Sequence, residues 1–199
     1  MDNERIAQLE QLAGAVENLT ESPLYEYRRE NGYHAVIGEG SPNASIMFIG
    51  EAPGEQEAKA GRPFVGAAGR VLNDLLESVG LRREDVYITN ILKDRPPNNR
   101  DPRPDEVRLY APFLQQQIEI IRPSVIVTLG RFSMDFILTL FDMPEQGQKI
   151  GALHGRVLEA NNERGHLAVI PLYHPAVAFY RQDQRETLWQ DFQALKPFI

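Results

Sequence analysis

Three short segments carry side chains of complementary chemistry. They are Gly50-Glu51-Ala52-Pro53-Gly54, then Asn90 followed by Lys93-Asp94-Arg95-Pro96-Pro97-Asn98-Asn99-Arg100, and finally Tyr173-His174-Pro175-Ala176. A carboxylate and an imidazole can hold or move a proton, and a carboxamide both donates and accepts hydrogen bonds. Each has a plainer reading alone: Glu51 lies exposed or caps, Asn90 forms a turn, and His174 before Pro175 caps a helix. Their recurrence at the ends of three strand-like runs makes one shared crevice the stronger expectation. Other chemistries lack support. The phosphate-cradling pattern G-x-x-x-x-G-K-[ST] is absent, and so are H-E-x-x-H and G-x-S-x-G. Without cysteine there is no disulfide, thiolate zinc site, cysteine-held iron–sulfur cluster or thiol nucleophile. His34, His154 and His166 show no metal-ligand spacing, so structural or surface roles are expected and no metal site is.

These groups hang on four nearly continuous apolar runs, residues 45–49, 86–89, 125–129 and 167–171, which read as strands buried on both faces. Helical periods separate them. Residues 4–19 have one, and residues 67–79 set Val71, Leu72, Leu75, Leu76 and Val79 on one face before a stop at Gly80. Residues 104–121 open with Pro104, Asp105 and Glu106, a first-turn signature, and Pro112 is expected to kink or split that helix. Residues 131–140 and 183–195 complete the helices, and residues 156–159 suggest an edge or hairpin strand. The alternation predicts a three-layer α/β/α domain around a central four-stranded, mostly parallel sheet. Ligands bind such sheets beyond the carboxyl ends of the strands, where Glu51, Asn90 and His174 fall. Loops 50–69 and 92–104 are too long for mere connectors. One domain over residues 1–199 is expected, with residues 1–40 as an N-terminal helix and lead-in.

Composition fits this reading. Hydrophobic residues make up 42% and charged residues 25%, which argues against disorder. No apolar run nears the ~18 residues of a membrane span, and Met1-Asp2-Asn3-Glu4 is no signal-peptide start, so a soluble cytoplasmic protein is expected. The net charge of −7 sits entirely in residues 1–60, where eleven acidic side chains face four basic ones; seventeen of each remain beyond. Basic residues gather instead at Lys93, Arg95, Arg100 and Arg103, and at Arg181 and Arg185. A negative total therefore does not exclude a nucleic-acid partner.

The ordered motifs closely resemble the family 4 uracil-DNA glycosylases. They are Gly50-Glu51-Ala52-Pro53-Gly54-Glu55-Gln56-Glu57, Gly61-Arg62-Pro63-Phe64-Val65-Gly66-Ala67-Ala68-Gly69, Asn90, Arg95-Pro96-Pro97-Asn98-Asn99-Arg100 and Tyr173-His174-Pro175-Ala176. The match runs from about Leu24 to the C-terminus. That family holds an iron–sulfur cluster through four cysteines, and matching the motifs puts Leu19, Ser22, Asp94 and Tyr110 at those positions. The chain thus resembles a cluster-free branch, no cofactor is expected, and packing of Leu19 and Tyr110 is expected to hold the 92–104 loop.

The resemblance implies hydrolysis of the N-glycosidic bond of uracil in single- or double-stranded DNA, by a monomer acting in base excision repair. It implies Phe64 as the stacking face, Asn90 as reader of the uracil edge, His174 as donor to the developing anion, and Glu51 as the group that positions water and opposes the positive sugar. Backbone amides at Glu51 and Ala52 assist, and Glu57 crowds out the thymine methyl group. Arg95, Asn99, Arg100 and Arg181 are the implied DNA contacts, with Phe179 or Tyr180 as wedge candidates. The alternatives are a DNA-binding relative with lost activity, or an enzyme for another deaminated base such as hypoxanthine. A covalent uracil-DNA trap would need a histidine in residues 91–104, and none is there.

Overall fold

A computed structural model describes residues 2–162, 165–180 and 182–199. In chain order the elements are α1 (Asp2–Glu17), α2 (Tyr25–Glu30), β1 (Glu39–Gly40), β2 (Ile46–Gly50), α3 (Glu55–Ala60), α4 (Ala67–Ser78), β3 (Tyr87–Asn90), α5 (Pro104–Ile121), β4 (Val125–Leu129), α6 (Arg131–Leu140), α7 (Ile150–Leu153), β5 (Leu158–Asn162), β6 (Gly165–Leu172) and α8 (Gln182–Phe192). The described strands form one sheet in the order β1-β3-β2-β4-β6-β5. Its centre is the expected parallel set, with β2 paired to both β3 and β4, and β4 to β6. The sheet is wider than four strands because β1 and β5 add antiparallel edges. Two-residue β1 was too short to read, whereas β5 realises the edge piece expected near 156–159.

Central strands are buried on both faces because helices cover both. One core layer joins Met47, Ile49 and Ile126 to Val16, Tyr110, Leu114 and Ile137 of α1, α5 and α6. The opposite layer joins Ile46, Phe48 and Val127 to Leu72, Leu75, Leu188 and Phe192 of α4 and α8. The alternation Ile46/Met47/Phe48/Ile49 between layers is the two-residue strand period made visible. Phe48 stacks on Phe192 across the second layer with ring centroids 5.9 Å apart.

Helix ends follow their local chemistry. After α4, Gly80 adopts φ +81°, and the Gly80 and Leu81 amides return to the Glu77 and Leu76 carbonyls, closing the helix as expected. At the start of α5, Pro104 occupies the first turn and Glu106 accepts from the Arg103 amide at 2.8 Å. Pro112 does not split α5, which runs unbroken to Ile121. Pro112 is exposed while Tyr110 and Leu114 on either side are buried, so packing of the neighbours outweighs the missing backbone bond.

Candidate active site

At their carboxyl ends, β2 and β3 finish in register, Gly50 opposite Asn90, while β6 leads into Tyr173 and His174. Beyond them lies a cavity of about 330 Å³ whose lining includes Glu51, Ala52, Glu57, Phe64, Asn90 and His174. Asn99 and Arg100 line it too. Residues as distant in sequence as Glu51 and His174 thus share one wall system, as the strand-end rule requires. Pro53, Ala68, Pro96 and Ala176, motif residues to which the sequence assigned no role of their own, also line it.

The cavity is built by close approach. A Cβ on Gly50 would stand 2.3 Å from the Asn90 Oδ1 and 2.7 Å from the Phe64 ring, so only glycine lets the two converge there. Asn90 is 2% exposed, and the Phe64 and His174 rings lie with centroids 5.7 Å apart. Phe64 has φ +48°, a left-handed conformation that an aromatic residue adopts only when its surroundings hold it. Three contacts do so. The Glu57 Oε1 accepts from the Val65 and Gly66 amides at 2.9 and 2.7 Å, Arg83 donates to the Pro63 and Phe64 carbonyls, and Gly69 lets α4 pass against the Phe64 carbonyl. A side chain at Gly69 would fall 1.8 Å from that oxygen. Arg83 carried no sequence signal, since it lies outside both motif loops.

Protonation follows from burial. Burial first, and then the Asp101 carboxylate, push Glu51 up to about 7, against the pull of Arg131. Asp101 and Arg131 themselves pair at 2.8 Å. Burial lowers His174 to about 4, opposed by Glu57, so its ring is neutral at pH 7. The His174 Nδ1 accepts from the Ala176 amide at 3.2 Å. A neutral ring accepting at Nδ1 carries its hydrogen on Nε2. The arrangement therefore offers a neutral imidazole donor, a carboxamide that can both donate and accept, an aromatic face and a carboxylate that titrates near neutrality.

Comparison with known proteins gives this pocket a family. A model of the uracil DNA glycosylase superfamily matches residues 37–194, a span containing every cavity residue named above. The chain belongs to that superfamily. It is 51% identical over 160 residues to a type-4 uracil-DNA glycosylase of Archaeoglobus fulgidus, covering 80% of this chain and 79% of the relative. It is 44% identical over 197 residues to one of Saccharolobus solfataricus, with coverages of 98% and 86%. With one of Thermotoga maritima it shares 40% over 195 residues, covering 96% and 94%.

In this superfamily member the four positions matched to cluster cysteines do converge, but on a different chemistry. The Leu24 amide donates to Ser22 Oγ at 3.1 Å, Ser22 and Tyr110 hydroxyls meet at 2.7 Å, and Tyr110 donates to the Asp94 Oδ2 at 2.5 Å. Arg28 donates to the other Asp94 oxygen at 3.1 Å and to the Val16 and Glu17 carbonyls that end α1. Leu19 packs in the same core layer. Tyr110 belongs to that layer as well, and polar bonds join the segments in addition. A hydroxyl, a phenol, a carboxylate and an isobutyl group, satisfied by one another or by Arg28, do not fit an iron–sulfur cluster, which takes thiolates. Among the described residues no cluster of three histidines, aspartates or glutamates is arranged to hold a metal ion.

The implied DNA contacts have mixed placements in this superfamily fold. Arg95 is 8% exposed and turned inward; it donates to Asn99 Oδ1 and Tyr33 hydroxyl, both at 2.8 Å, and lies over the Tyr33 ring. Its guanidinium is held by Asn99 of the same loop and by Tyr33 from the lead-in segment rather than presented outward. Arg100 makes a two-pronged pair with Glu106, a carboxylate with no exposed surface, and keeps part of its side chain at the cavity. Asn99 is exposed. Arg181 lies outside the described residues. Phe179 and Tyr180 are exposed, the first ending a 3-10 turn over Pro175–Phe179 and the second following it. His154 bonds Asp191 at 2.7 Å and stacks near Tyr173, a structural placement. No helix among the described residues is long and apolar enough to cross a membrane.

Proposed function

We propose that this chain is a monofunctional uracil-DNA glycosylase of base excision repair, working on uracil in single- or double-stranded DNA. The observation that carries the reading is the convergence of Glu51, Phe64, Asn90 and His174 on one cavity of about 330 Å³. A base in a duplex must leave the stack to reach such a cavity. There the Phe64 face stacks the pyrimidine, and the Asn90 carboxamide accepts from N3–H while donating to O4, a pairing that cytosine reverses. Glu57, its carboxylate fixed by two amides, closes the side where a thymine methyl group would sit.

Bond breaking leaves the C1′–N1 electron pair on uracil, as an anion delocalised onto O2, and positive charge on the sugar. The His174 Nε2–H meets that anion without giving up a proton, because its ring is neutral and hard to charge further. Glu51, as carboxylate, opposes the sugar cation and orients the water that attacks C1′; the water's proton passes to the carboxylate or to solvent. Uracil takes up a proton on release, and an abasic site remains. Asn99 and Arg100 line the cavity and would meet the DNA backbone there. The reaction needs no iron–sulfur cluster, a reading supported by the satisfied Ser22–Tyr110–Asp94–Arg28 bonds.

The test is incubation with an oligonucleotide carrying one uracil, followed by alkaline cleavage, for wild type, Glu51→Ala and His174→Ala. Wild type is expected to cut the strand at uracil and both variants to be strongly impaired. Absence of wild-type cleavage, or release from hypoxanthine but not from uracil, would overturn the assignment.

A further inference from the structure

Behind Asn90 stands a group that the proposed chemistry has not used. Lys93 has no exposed surface, and among the described residues no carboxylate pairs with it. Its Nζ lies 2.7 Å from the Asn90 backbone carbonyl, 2.7 Å from Thr89 Oγ1 and 2.6 Å from Gln117 Oε1. Counting protons fixes its state. The Asn90 carbonyl can only accept. The Gln117 amide nitrogen is turned to the Ile37 carbonyl and the Tyr87 hydroxyl, which leaves its oxygen as an acceptor. The Thr89 hydroxyl spends its one hydrogen on the Ile37 carbonyl at 2.6 Å, so toward Lys93 it too accepts. Three acceptors around one nitrogen take three N–H bonds, those of an ammonium. Burial pushes its pKa well below the ordinary lysine range, and the three acceptors oppose that shift.

A buried cation without a counter-ion does little for stability, and a methionine of similar length would fill the same space. Its position suggests another use. Thr89 and Asn90 are the last residues of β3, and Asn90 projects into the cavity where uracil would gain negative charge. We propose that Lys93 is a positioning residue of the glycosylase reaction: its ammonium fixes the end of β3 beneath Asn90 and raises the positive potential at the site of the departing uracil anion. The inference rests on the glycosylase reading and adds to it a fixed charge behind the uracil-reading residue. Because a preorganised charge in a water-poor site acts on charge as it develops, its effect falls on the bond-breaking step more than on binding.

The experiment compares wild type, Lys93→Met and Lys93→Gln under single turnover, on matched oligonucleotides carrying uracil or 5-fluorouracil. Fluorine makes the leaving group more acidic, so its departure needs less help from a nearby cation. Thermal melting identifies folded variants, and Lys93→Gln, which retains hydrogen bonding, serves if Lys93→Met does not fold. The expected result is a loss of about 10- to 100-fold in the chemical step on uracil, smaller than for a direct donor to the anion. KM should hold, and the loss on 5-fluorouracil should be several-fold smaller. Equal losses on both substrates would make Lys93 a packing residue only, and undiminished rates would remove it from the reaction. Wild-type activity on uracil separates either outcome from failure of the glycosylase reading itself.

Discussion

Replacing Glu51 by glutamine should stabilise the protein while disabling it, and the stabilisation should exist only at the alkaline end. Glu51 moves from 4.5 to about 7 on folding, chiefly through burial. Each unit is worth about 1.4 kcal/mol, so forcing the folded carboxyl to ionise costs at most about 3.5 kcal/mol. Partial solvent access screens it, leaving about 1–2 kcal/mol. The sign follows from proton counts. Below pH 4.5 both folded and unfolded chains hold the proton and Glu51 contributes nothing. Between 4.5 and 7 the unfolded chain has lost it and the folded chain has not, so stability falls as pH rises. Above 7 the full cost is present. Glutamine is never charged and avoids it. Melting of wild type and Glu51→Gln should therefore coincide near pH 4, and at pH 8 the variant should melt about 2–8 °C higher. In wild type, uracil release at sub-saturating substrate should climb through a midpoint near pH 7, as the carboxylate forms. Equal melting differences at both pH values, or a less stable variant at pH 8, would refute the burial argument.

His174→Ala should slow single-turnover release by about 10²–10³-fold, the usual loss for one anion donor. With His174 neutral down to about pH 4, wild-type rates should show no second titration between pH 5 and 8. Gly50→Ala drives a methyl group into Asn90 Oδ1 and the Phe64 ring, and should cost about 1–3 kcal/mol by denaturant titration together with most of the activity. Arg28→Met leaves the Asp94 carboxylate buried and unpaired, and should cost about 3–5 kcal/mol in the same titration; wild type should melt identically with or without an iron chelator. Arg95→Ala should lower the melting temperature yet leave the salt dependence of DNA affinity unchanged, whereas a true phosphate contact would reduce its slope by about 0.9.

What the sequence revealed depended on how local each signal was. The central strands are short β-branched runs with both faces buried, and α4 writes its period and its stop into Val71–Gly80, so both were legible within a residue or two. Helices α2, α3 and α7, of four to six residues, span too few turns to show a period. The edge strand β1 is shorter still. Glu51, Asn90 and His174 were found because parallel topology predicts where strand ends meet. The inward placement of Arg95 was not legible for the converse reason. A cation in a Pro- and Asn-rich loop looks available for phosphate, and nothing local shows that Tyr33, from a segment sixty-two residues earlier, will receive it. Pro112 likewise reads as a breaker until the burial of Tyr110 and Leu114 is known.

Two buried cations, Arg28 and Lys93, show how pairing separates structural from functional charge here. Arg28 is matched by Asp94 and ends α1 by capping its last carbonyls, where a cation also suits the helix dipole. The bond chain Ser22–Tyr110–Asp94–Arg28 ties the lead-in segment to the loop holding Arg95 and Arg100, and every polar member has a partner. Such a unit holds position and is inert to charge appearing elsewhere. Lys93, one residue before Asp94, has only dipoles around it, although a carboxylate at Thr89 or Gln117 could have neutralised it at little steric change. An anion there would cancel the field reaching the cavity. Leaving the ammonium uncompensated lowers stability and preserves that field. Consistent with this division, Thr89→Asp should strengthen the fold and weaken the chemistry at once, a pairing of effects that simple loss of packing cannot produce.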